Sequence, residues 1–264
     1  MPLESPLADL HDRARDLNRR HRNNAAVTVL EHALSDPLVG PVALVSSFGA
    51  ESVVLLHMVS RIDRTLPVLF LQTGMLFAET LSYQRELSRD LGLTDVRLLT
   101  PDRTELFTDD HDGLLHLADP DACCALRKSR PLAAGLSGFN AWITGRKRFQ
   151  GGQRQSLDFF EADGAGNPPR LKINPLAHWR AEDIAAYIDN NRLPRHPMVA
   201  RGYPSIGCAP CTGPVDPGRD PRAGRWPGMG KTECGIHFGA RKAGDARAPA
   251  STSGEGRKPR KDTT

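Results

Sequence analysis

Residues 41–52 read Pro41-Val-Ala-Leu-Val-Ser-Ser-Phe-Gly-Ala-Glu-Ser52, an apolar run followed by a loop of small and polar residues. The apolar run is typical of a buried parallel strand, and residues 53–58 continue as an apolar helix. The unit recurs downstream, with a strand predicted over 67–71, a turn over 72–74 and a helix over 77–91. Strands that alternate with helices predict an α/β fold with a doubly wound, mostly parallel sheet.

Two more strands and two helical regions complete the predicted core. Residues 96–99 and 141–144 have the composition of short strands, and residues 181–190 that of a helix. Residues 5–36 read as amphipathic helix, which gives an N-terminal helical region over 1–36 and an α/β core over 37–206. In such sheets ligands bind outside the carboxyl ends of the strands. We therefore expect three loops to converge on one crevice: 46–52, 72–76 and 145–154.

The pattern changes after the core. Residues 193–230 are rich in Pro and Gly and lack periodicity, and such a stretch usually needs an external factor to order it. Residues 207–239 form a separate segment because they contain three of the five cysteines. Residues 240–264 are dominated by Ala, Gly, Ser, Lys and Arg, which predicts a disordered basic tail.

Composition excludes several classes of protein. The 264 residues are 39% hydrophobic and 25% charged, as in an ordinary globular enzyme. The tail holds seven Lys/Arg and three Asp/Glu, so it accounts for the formal charge of +4, and the other 239 residues carry 28 charges of each sign. This balance argues against a nucleic-acid-binding body. No apolar run predicts a membrane helix or a secretory signal, so we expect a cytoplasmic protein.

Four of the five cysteines form two close pairs, Cys123-Cys124 and Cys208-Ala-Pro-Cys211. Such pairs are a strong metal signal in a protein that is not exported. Zinc requires every ligand within about 2.3 Å of one ion, whereas adjacent helical side chains diverge by about 100°. A [4Fe–4S] cluster needs four thiolates, and adjacent ones can bind different irons. A cluster is the favoured prediction, with zinc and buried apolar cysteines as alternatives.

Two segments have the composition of anion sites. Ser47-Phe-Gly-Ala-Glu-Ser52 lies between a strand and a helix, where backbone N–H groups suit phosphate or sulfate. A helix-capping turn with Ser47 as the cap would explain it equally well. Gly145-Arg-Lys-Arg-Phe-Gln-Gly-Gly-Gln-Arg154 places four cations among glycines, and Arg222-Ala-Gly-Arg225 adds two. Arginine suits oxyanion contacts, although a solvated basic loop is the alternative.

The fifth cysteine, Cys234, is flanked by Glu233, Gly235 and His237. Nearby cations lower the pKa of a thiol and so favour the reactive thiolate. Alone, a Cys-x-x-His spacing is more often incidental than catalytic. Its position in a glycine-rich segment after an arginine pair favours a nucleophile.

Together these motifs resemble those of the bacterial assimilatory sulfonucleotide reductases, over about residues 40–238. Within them the chain is similar to the iron–sulfur adenylyl-sulfate (APS) reductases. The motifs that carry the resemblance are Ser47-Phe-Gly-Ala-Glu-Ser52, Leu71-Gln-Thr-Gly74, Cys123-Cys124, Cys208-Ala-Pro-Cys211, Arg222-Ala-Gly-Arg225-Trp226 and Glu233-Cys-Gly-Ile-His237.

The resemblance implies an adenine-nucleotide α-hydrolase-like fold and a thioredoxin-dependent reduction of APS to sulfite and AMP, with thioredoxin or glutaredoxin as a separate reductant. It implies Cys234 as nucleophile with His237 beside it, and a [4Fe–4S] cluster on Cys123, Cys124, Cys208 and Cys211. No nucleic-acid or membrane partner is expected, and a homo-oligomer is left open. The expected substrate-binding residues are Ser47, Phe48, Gly49, Glu51, Ser52, Thr73, Gly74, Lys128, Gly145, Lys147, Arg148, Gln150, Arg154, Arg222 and Arg225.

Two positions depart from the family pattern. Gly151 stands where family members often have serine, and Gly213 follows Thr212 where arginine is frequent. The nearest rival function is reduction of 3′-phosphoadenylyl sulfate (PAPS), whose enzymes usually lack the four cluster cysteines. ATP-dependent thiolation is a further rival, but Phe48 and Glu51 differ from its Ser-Gly-Gly-x-Asp-Ser loop. A cluster-bearing redox sensor is the non-enzymatic alternative.

Overall fold

The structure, a computed structural model, describes residues 6–164, 166, 168–229, 231, 233 and 235–236. Six strands of this part form one sheet: β1 Val42–Ser46, β2 Val68–Leu71, β3 Val96–Leu99, β4 Ala141–Ile143, β5 Phe160–Asp163 and β6 Arg170–Ile173. The α-helices are α1 Pro6–His21, α2 Ala26–Ser35, α3 Ser52–Ile62, α4 Ala78–Leu91, α5 Arg103–Asp109, α6 Leu115–Ala118, α7 Pro120–Cys124, α8 Arg130–Gly135 and α9 Ala181–Asn190.

The sheet has the order β3-β2-β1-β4-β6-β5 and is parallel except for β5. The chain runs outward from β1 through β2 to β3 and then returns to the other side of β1 at β4. The strand order therefore reverses between β1 and β4, where open α/β sheets bind ligands. The predicted doubly wound fold is confirmed.

The centre of the sheet is apolar on both faces, which explains why its strands appear as continuous hydrophobic runs. Every residue of β2 and β4 is buried, and α3 packs Val53, Leu56 and Val59 against the main core with no exposed surface. A smaller cluster on the opposite face includes Leu132 of α8. The predicted helix over 181–190 is confirmed as α9.

The structure differs from the sequence predictions in two places. The helix expected over 5–36 is broken between His21 and Ala26, where the Asn24 side chain bonds the His21 ring at 3.0 Å and the chain turns into α2. The antiparallel β5–β6 hairpin was not predicted, and Arg170 and Lys172 of its strand β6 are buried. Lys172 pairs with Asp163 at 3.3 Å, so its charge is compensated inside the fold.

Residues 191–229 contain no α-helix or strand, apart from 3₁₀ turns at Pro197–Arg201 and Ala209–Cys211 and two isolated bridges. This agrees with the predicted lack of periodicity. None of the described helices combines the length and apolar character that crossing a bilayer requires.

Candidate active site

A cavity of about 240 Å³ opens at the carboxyl ends of β1, β2 and β4. One side, which we call the strand-built wall, comes from loops 46–52, 73–76 and 144–150. The other side, the coil-built wall, comes from residues 204–208, 220–226, 233 and 236. The predicted convergence of the loops after β1, β2 and β4 is therefore confirmed.

The loop after β1 is folded by its own hydroxyl groups. The Ser46 hydroxyl accepts from Phe48 N at 3.2 Å, and the Ser52 hydroxyl accepts from Gly49 N at 3.0 Å. Ser47 lines the cavity and does not cap α3, whose N-cap is Glu51 without a side-chain bond. A Cβ at Gly49 would lie 3.3 Å from the Ile206 carbonyl, so glycine lets the two walls approach.

Phe48 does not line the cavity, although it was predicted to bind substrate. Its backbone adopts φ +47°, uncommon for a non-glycine residue, and its fully buried ring meets Phe70 edge-to-face at 5.1 Å. The left-handed backbone thus turns the ring into the core while its neighbours face the cavity. The Phe48 ring therefore anchors the loop in the core.

The loop after β4 separates the cations of the basic segment. Lys147 lines the cavity and pairs with Glu51 at 2.6 Å, and Gln150 donates to the same carboxylate at 3.3 Å. Arg148 is directed elsewhere, to Asp158 at 2.8 Å, and does not line the cavity. Its predicted substrate contact is therefore not supported.

Arg146 lines the cavity and was absent from the predicted site. It is 3% exposed, donates to Glu161 and lies 3.1 Å from the Asn174 amide oxygen. Burial lowers the pKa of Arg146, which the Glu161 carboxylate partly offsets. Three consecutive cations gave no local signal to show which would face inward, because this depends on the turn after β4.

Glu233 of the coil-built wall brings together two arginines that are distant in sequence. Arg154 donates to both carboxylate oxygens of Glu233, at 2.7 and 2.6 Å, and Arg222 lies 3.5 Å from the same group. The Arg225 guanidinium stacks on Trp226 at 4.5 Å, and its buried Nε has no hydrogen-bond partner among the described residues. Arg154, Arg222 and Arg225 all line the cavity, as predicted.

The described lining of the cavity is electropositive. It contains six Lys/Arg side chains, Lys128, Arg146, Lys147, Arg154, Arg222 and Arg225, and three carboxylates, Glu51, Asp220 and Glu233. Apolar side chains such as Leu55 and Leu176 complete the walls. A cavity with this surplus suits a ligand that carries both an apolar ring and anionic groups.

Cys123, Cys124, Cys208 and Cys211 are near enough for their thiols to interact electrostatically, and Cys208 lines the cavity. All four are free thiols and each is at most 7% exposed. Burial, with smaller contributions from the nearby Cys124 and Cys208, raises the pKa of Cys123 to about 11. Burial also raises the pKa of Cys211, as do Cys208 and Cys124. The two predicted pairs are therefore neighbours in the fold, and we call these four residues the thiol centre.

The helix that carries the adjacent cysteines is irregular. Asp119 caps α7 by accepting from Asp121 N and Ala122 N, and after Cys124 the chain widens into a π-helical turn over Ala125–Ser129. Such turns often occur at functional sites. Lys128, an expected substrate-binding residue, lies in this wider turn. It is buried, lines the cavity and opposes the rise in the pKa of Cys211.

A buried ion pair supports the π-helical turn and was absent from the predicted site. Arg127 donates to Asp110 at 2.9 and 2.5 Å and to the Thr73 carbonyl at 2.8 Å. The Thr73 hydroxyl in turn lies 3.3 Å from Cys208 Sγ, so Thr73 contacts both the thiol centre and the cavity. Gly74 lies beside Arg127 and does not line the cavity, contrary to prediction.

The remaining predicted residues divide into two groups. Ser47, Gly49, Glu51, Ser52 and Gly145 line the cavity. Cys234 and His237, the predicted catalytic pair, lie outside the described residues. Their described neighbours Glu233 and Ile236 line the cavity, so the chain reaches it on either side of Cys234.

Comparisons of the sequence with a family model and with curated proteins agree on one family. A model of the phosphoadenosine phosphosulfate reductase domain matches residues 41–214. A Mesorhizobium japonicum protein named adenosine 5′-phosphosulfate reductase is 52% identical, over 80% of this chain and 81% of its own. A protein of the same name from Chelativorans sp. is 48% identical, over 87% and 93%, and one from Bacillus subtilis, adenosine 5′-phosphosulfate reductase 1, is 42% identical, over 72% and 82%.

Solved structures agree on the fold. Phosphoadenylyl-sulfate reductase from Candida auris superposes with a TM-score of 0.63 at 25% identity, over 76% of this chain and 96% of that one. FMN adenylyltransferase from Candida glabrata superposes at 0.52 with 17% identity, over 81% and 76%, which shows a shared fold alone.

Proposed function

This chain belongs to the phosphoadenosine phosphosulfate reductase domain family, and we propose that it reduces APS to sulfite and AMP in assimilatory sulfate reduction. The observation that carries the choice of APS is the thiol centre, in which four buried cysteines from two distant segments meet beside an electropositive cavity. Relatives named adenosine 5′-phosphosulfate reductase, 52% and 48% identical to the chain, support the same substrate.

The reaction divides into two nucleophilic displacements. In the first, the Cys234 thiolate attacks the sulfur of APS, a sulfur–sulfur bond forms, and the bond from sulfur to the phosphate oxygen breaks to release AMP. In the second, one thiol of thioredoxin or glutaredoxin attacks Cys234 Sγ and releases sulfite. The partner's second thiol then closes a disulfide and regenerates Cys234. The dithiol supplies the two electrons, as covalent catalysis and thiol exchange require.

The cavity residues match the charges that move in the first step. Negative charge passes from the thiolate to the AMP phosphate, and fixed cations around the cavity stabilise it without reorganising. Lys128, Arg222 and Arg225 line the cavity, and Lys147 lies at the loop after β1 that would receive the phosphate. The apolar residues Leu55 and Leu176 provide surface for the adenine ring.

The thiol centre fits a [4Fe–4S] cluster held by Cys123, Cys124, Cys208 and Cys211. Trp226 packs against Cys208 and Cys211, and its buried indole N–H has no hydrogen-bond partner among the described residues. A buried donor without an acceptor is costly, and cluster sulfur would accept from it. When bound, the cluster would provide a structural and electrostatic centre and not an electron carrier.

A single metal ion fits the centre less well. No three His, Cys, Asp or Glu side chains of the described residues converge closely enough to share one ion. Tetrahedral zinc would require thiolates roughly 3.8 Å apart, whereas a cubane gives each thiolate its own iron and accepts wider spacing. Thiolate chemistry of this kind, with a dithiol reductant, belongs in the reducing cytoplasm, where we place the protein.

The decisive experiment follows the sulfur. Anaerobically purified protein is incubated with ³⁵S-labelled APS, and the label is located by peptide mapping. We expect one labelled adduct on Cys234, released as sulfite by reduced thioredoxin, and none in Cys234→Ser. An adduct or sulfite from Cys234→Ser would disprove the mechanism.

Reduction of PAPS is the second candidate, since the Candida auris relative is a phosphoadenylyl-sulfate reductase. The two nucleotides differ by one 3′-phosphate, so kcat/KM measured for each with thioredoxin separates them. We expect APS to be preferred by at least about tenfold, which is about 1.4 kcal/mol of transition-state binding. A preference for PAPS would overturn the assignment.

A further inference from the structure

Glu233 is the described residue that precedes Cys234, and its carboxylate is held by two arginines. Arg154 donates to both carboxylate oxygens, at 2.7 and 2.6 Å, and Arg222 lies 3.5 Å away. The side chains of Arg154, Arg222 and Glu233 are 7%, 18% and 17% exposed, so water screens these contacts only weakly. A bidentate arginine–carboxylate pair in such surroundings fixes geometry as well as charge.

The chain on each side of Cys234 has a second attachment. The Lys231 ammonium donates to the Pro120 carbonyl at 3.0 Å and to Asp121, at the start of the helix that carries Cys123 and Cys124. After Cys234, Ile236 packs on the apolar cluster that includes Leu132. The Glu233 ion pair adds a third attachment between these two, at the residue that precedes Cys234.

Arg154 uses its guanidinium on the protein. Its Nε and Nη2 donate to Glu233 and its Nη1 donates to Gln150. Three of its five N–H donors, one on every nitrogen, are thus used within the protein. This differs from the substrate contact that the sequence predicts for Arg154, and it assigns that cation to the segment that carries the nucleophile.

We propose that Glu233 is a positioning residue, whose ion pair with Arg154 and Arg222 anchors the chain directly before Cys234 at the cavity and so favours attack on sulfur. The inference rests on the proposed function, because it takes Cys234 as the nucleophile. It also carries a cost, since a carboxylate in an anion-binding cavity repels an anionic ligand. Glu233 therefore weakens nucleotide binding slightly while it accelerates the chemical step.

These opposite effects on nucleotide binding and on the rate of the chemical step distinguish a positioning role from a general loss of structure. In Glu233→Gln we expect AMP to bind as tightly as in wild type or a few-fold tighter. The adduct should form at least about tenfold more slowly in a single turnover with labelled APS. A merely structural defect would weaken both. Glu233→Asp should recover part of the rate, because it retains the charge, and Arg154→Lys should resemble Glu233→Gln because lysine cannot bind both oxygens.

A measurement independent of catalysis completes the test. The Lys231 side chain is 8% exposed, so trypsin should cleave after it slowly in wild type and several-fold faster in Glu233→Gln. The matched control is Glu105→Gln, which removes a carboxylate from the exposed pair with Arg130 and should leave all three measurements unchanged.

The outcomes separate the two proposals. If wild type forms no adduct, the proposed function fails, while AMP binding and tryptic cleavage still test whether Glu233 holds the segment. If wild type forms the adduct and Glu233→Gln matches it in rate and in cleavage, the positioning role is wrong. If Glu233→Gln weakens AMP binding as much as it slows the adduct, Glu233 acts on the ligand or on folding, and the role is likewise overturned.

Discussion

The two walls of the cavity are held by different forces. On the strand-built wall, Phe48 and Leu56 are fully buried in the main hydrophobic core. The coil-built wall has only a small buried cluster, Cys208, Cys211 and Trp226, and is otherwise held by backbone hydrogen bonds and ion pairs. The first wall is stabilised by burial of apolar surface. The second is stabilised mainly by hydrogen bonds and ion pairs, whose contribution is lost when either partner is removed.

This difference assigns separate tasks to the walls. A wall within the core retains its shape without ligand, so it suits a fixed phosphate loop. Segments with few buried apolar contacts open at lower free energy than the core. This suits the proposed reaction, in which Cys234 would react first with a nucleotide and then with a protein. The predictions below test whether the walls respond separately.

The largest expected effect is that of Cys208→Ser, which removes one thiol from the coil-built wall. We expect complete loss of APS reduction and of the brown colour of the proposed [4Fe–4S] cluster. We also expect faster proteolysis within residues 209–229. The far-UV circular dichroism of the sheet should change little. Iron content, visible absorbance and sulfite release measure these effects.

Cys234→Ser is the matched control, because it also replaces a thiol with a hydroxyl. It should abolish sulfite release yet retain the chromophore. A colourless, zinc-loaded wild type, or a brown and active Cys208→Ser, would contradict the cluster assignment.

Phe48→Ala should instead damage the strand-built wall. Removing a fully buried aromatic ring costs about 3–5 kcal/mol of the free energy of unfolding, because a cavity remains against Phe70. The matched change on the coil-built wall is Ile206→Ala, which should cost about 2 kcal/mol or less because Ile206 lies outside the buried clusters. Urea denaturation measures both, and equal losses would abolish the distinction between the walls.

The strand-built wall could largely be predicted from the sequence, because its residues follow strands that appear as apolar runs. Phe48 was the exception, since its position among small polar residues indicates a ligand contact. Only its positive φ reveals that the ring turns inward.

The coil-built wall was predictable as a set of residue types but not as a geometry. The pairing of Arg154 with Glu233 joins residues 79 apart with no local pattern. Buried charges conceal structure in the same way: Arg170 and Lys172 made β6 appear polar, although tertiary partners compensate Lys172. The hydrophobic periodicity of a sequence reflects which residues of one element are buried, and it contains no information about a counter-ion that is distant in sequence.

The contact between Thr80 of α4 and His196, in the coil segment after α9, should be sensitive to acid. His196 is buried, lies 3.0 Å from the Thr80 hydroxyl and accepts from Met198 N, and burial lowers its pKa to about 4, slightly opposed by Glu79. Because the folded state favours the neutral ring, its stabilisation is complete above the unfolded pKa of 6.5 and is lost as pH falls from 6.5 toward 4. Roughly 2–3 kcal/mol should be lost by about pH 4.5.

Urea denaturation of wild type and His196→Gln across this range measures the effect. The variant should show a shallower decline, and the difference isolates His196 from His21, His57 and His178, whose pKa values burial also lowers. If the free energy of unfolding falls in parallel for wild type and His196→Gln, His196 is not the group responsible for the acid sensitivity.

The smallest expected effects concern the two glycines that depart from the family pattern, one near each wall. Gly151 adopts φ +72° and ψ −173°, a region essentially restricted to glycine, so Gly151→Ser should cost about 1–3 kcal/mol although nothing lies within 4 Å of the added Cβ. Gly213 has no positive φ, and a Cβ there would make only an ordinary contact, 3.8 Å from the Gly224 carbonyl. Gly213→Arg should therefore change stability by no more than about 0.5 kcal/mol.

Thermal denaturation of the two variants compares the walls at the level of single backbone positions. A destabilised Gly151→Ser beside an unchanged Gly213→Arg would mean that the loop after β4 requires glycine for its conformation, so serine could be restored there only with a different loop. It would also mean that the coil-built wall accepts the family's arginine without rearrangement. If Gly151→Ser does not change stability, the loop after β4 tolerates substitution as well as the coil-built wall does. The two walls would then differ only in the residues that are buried in the core.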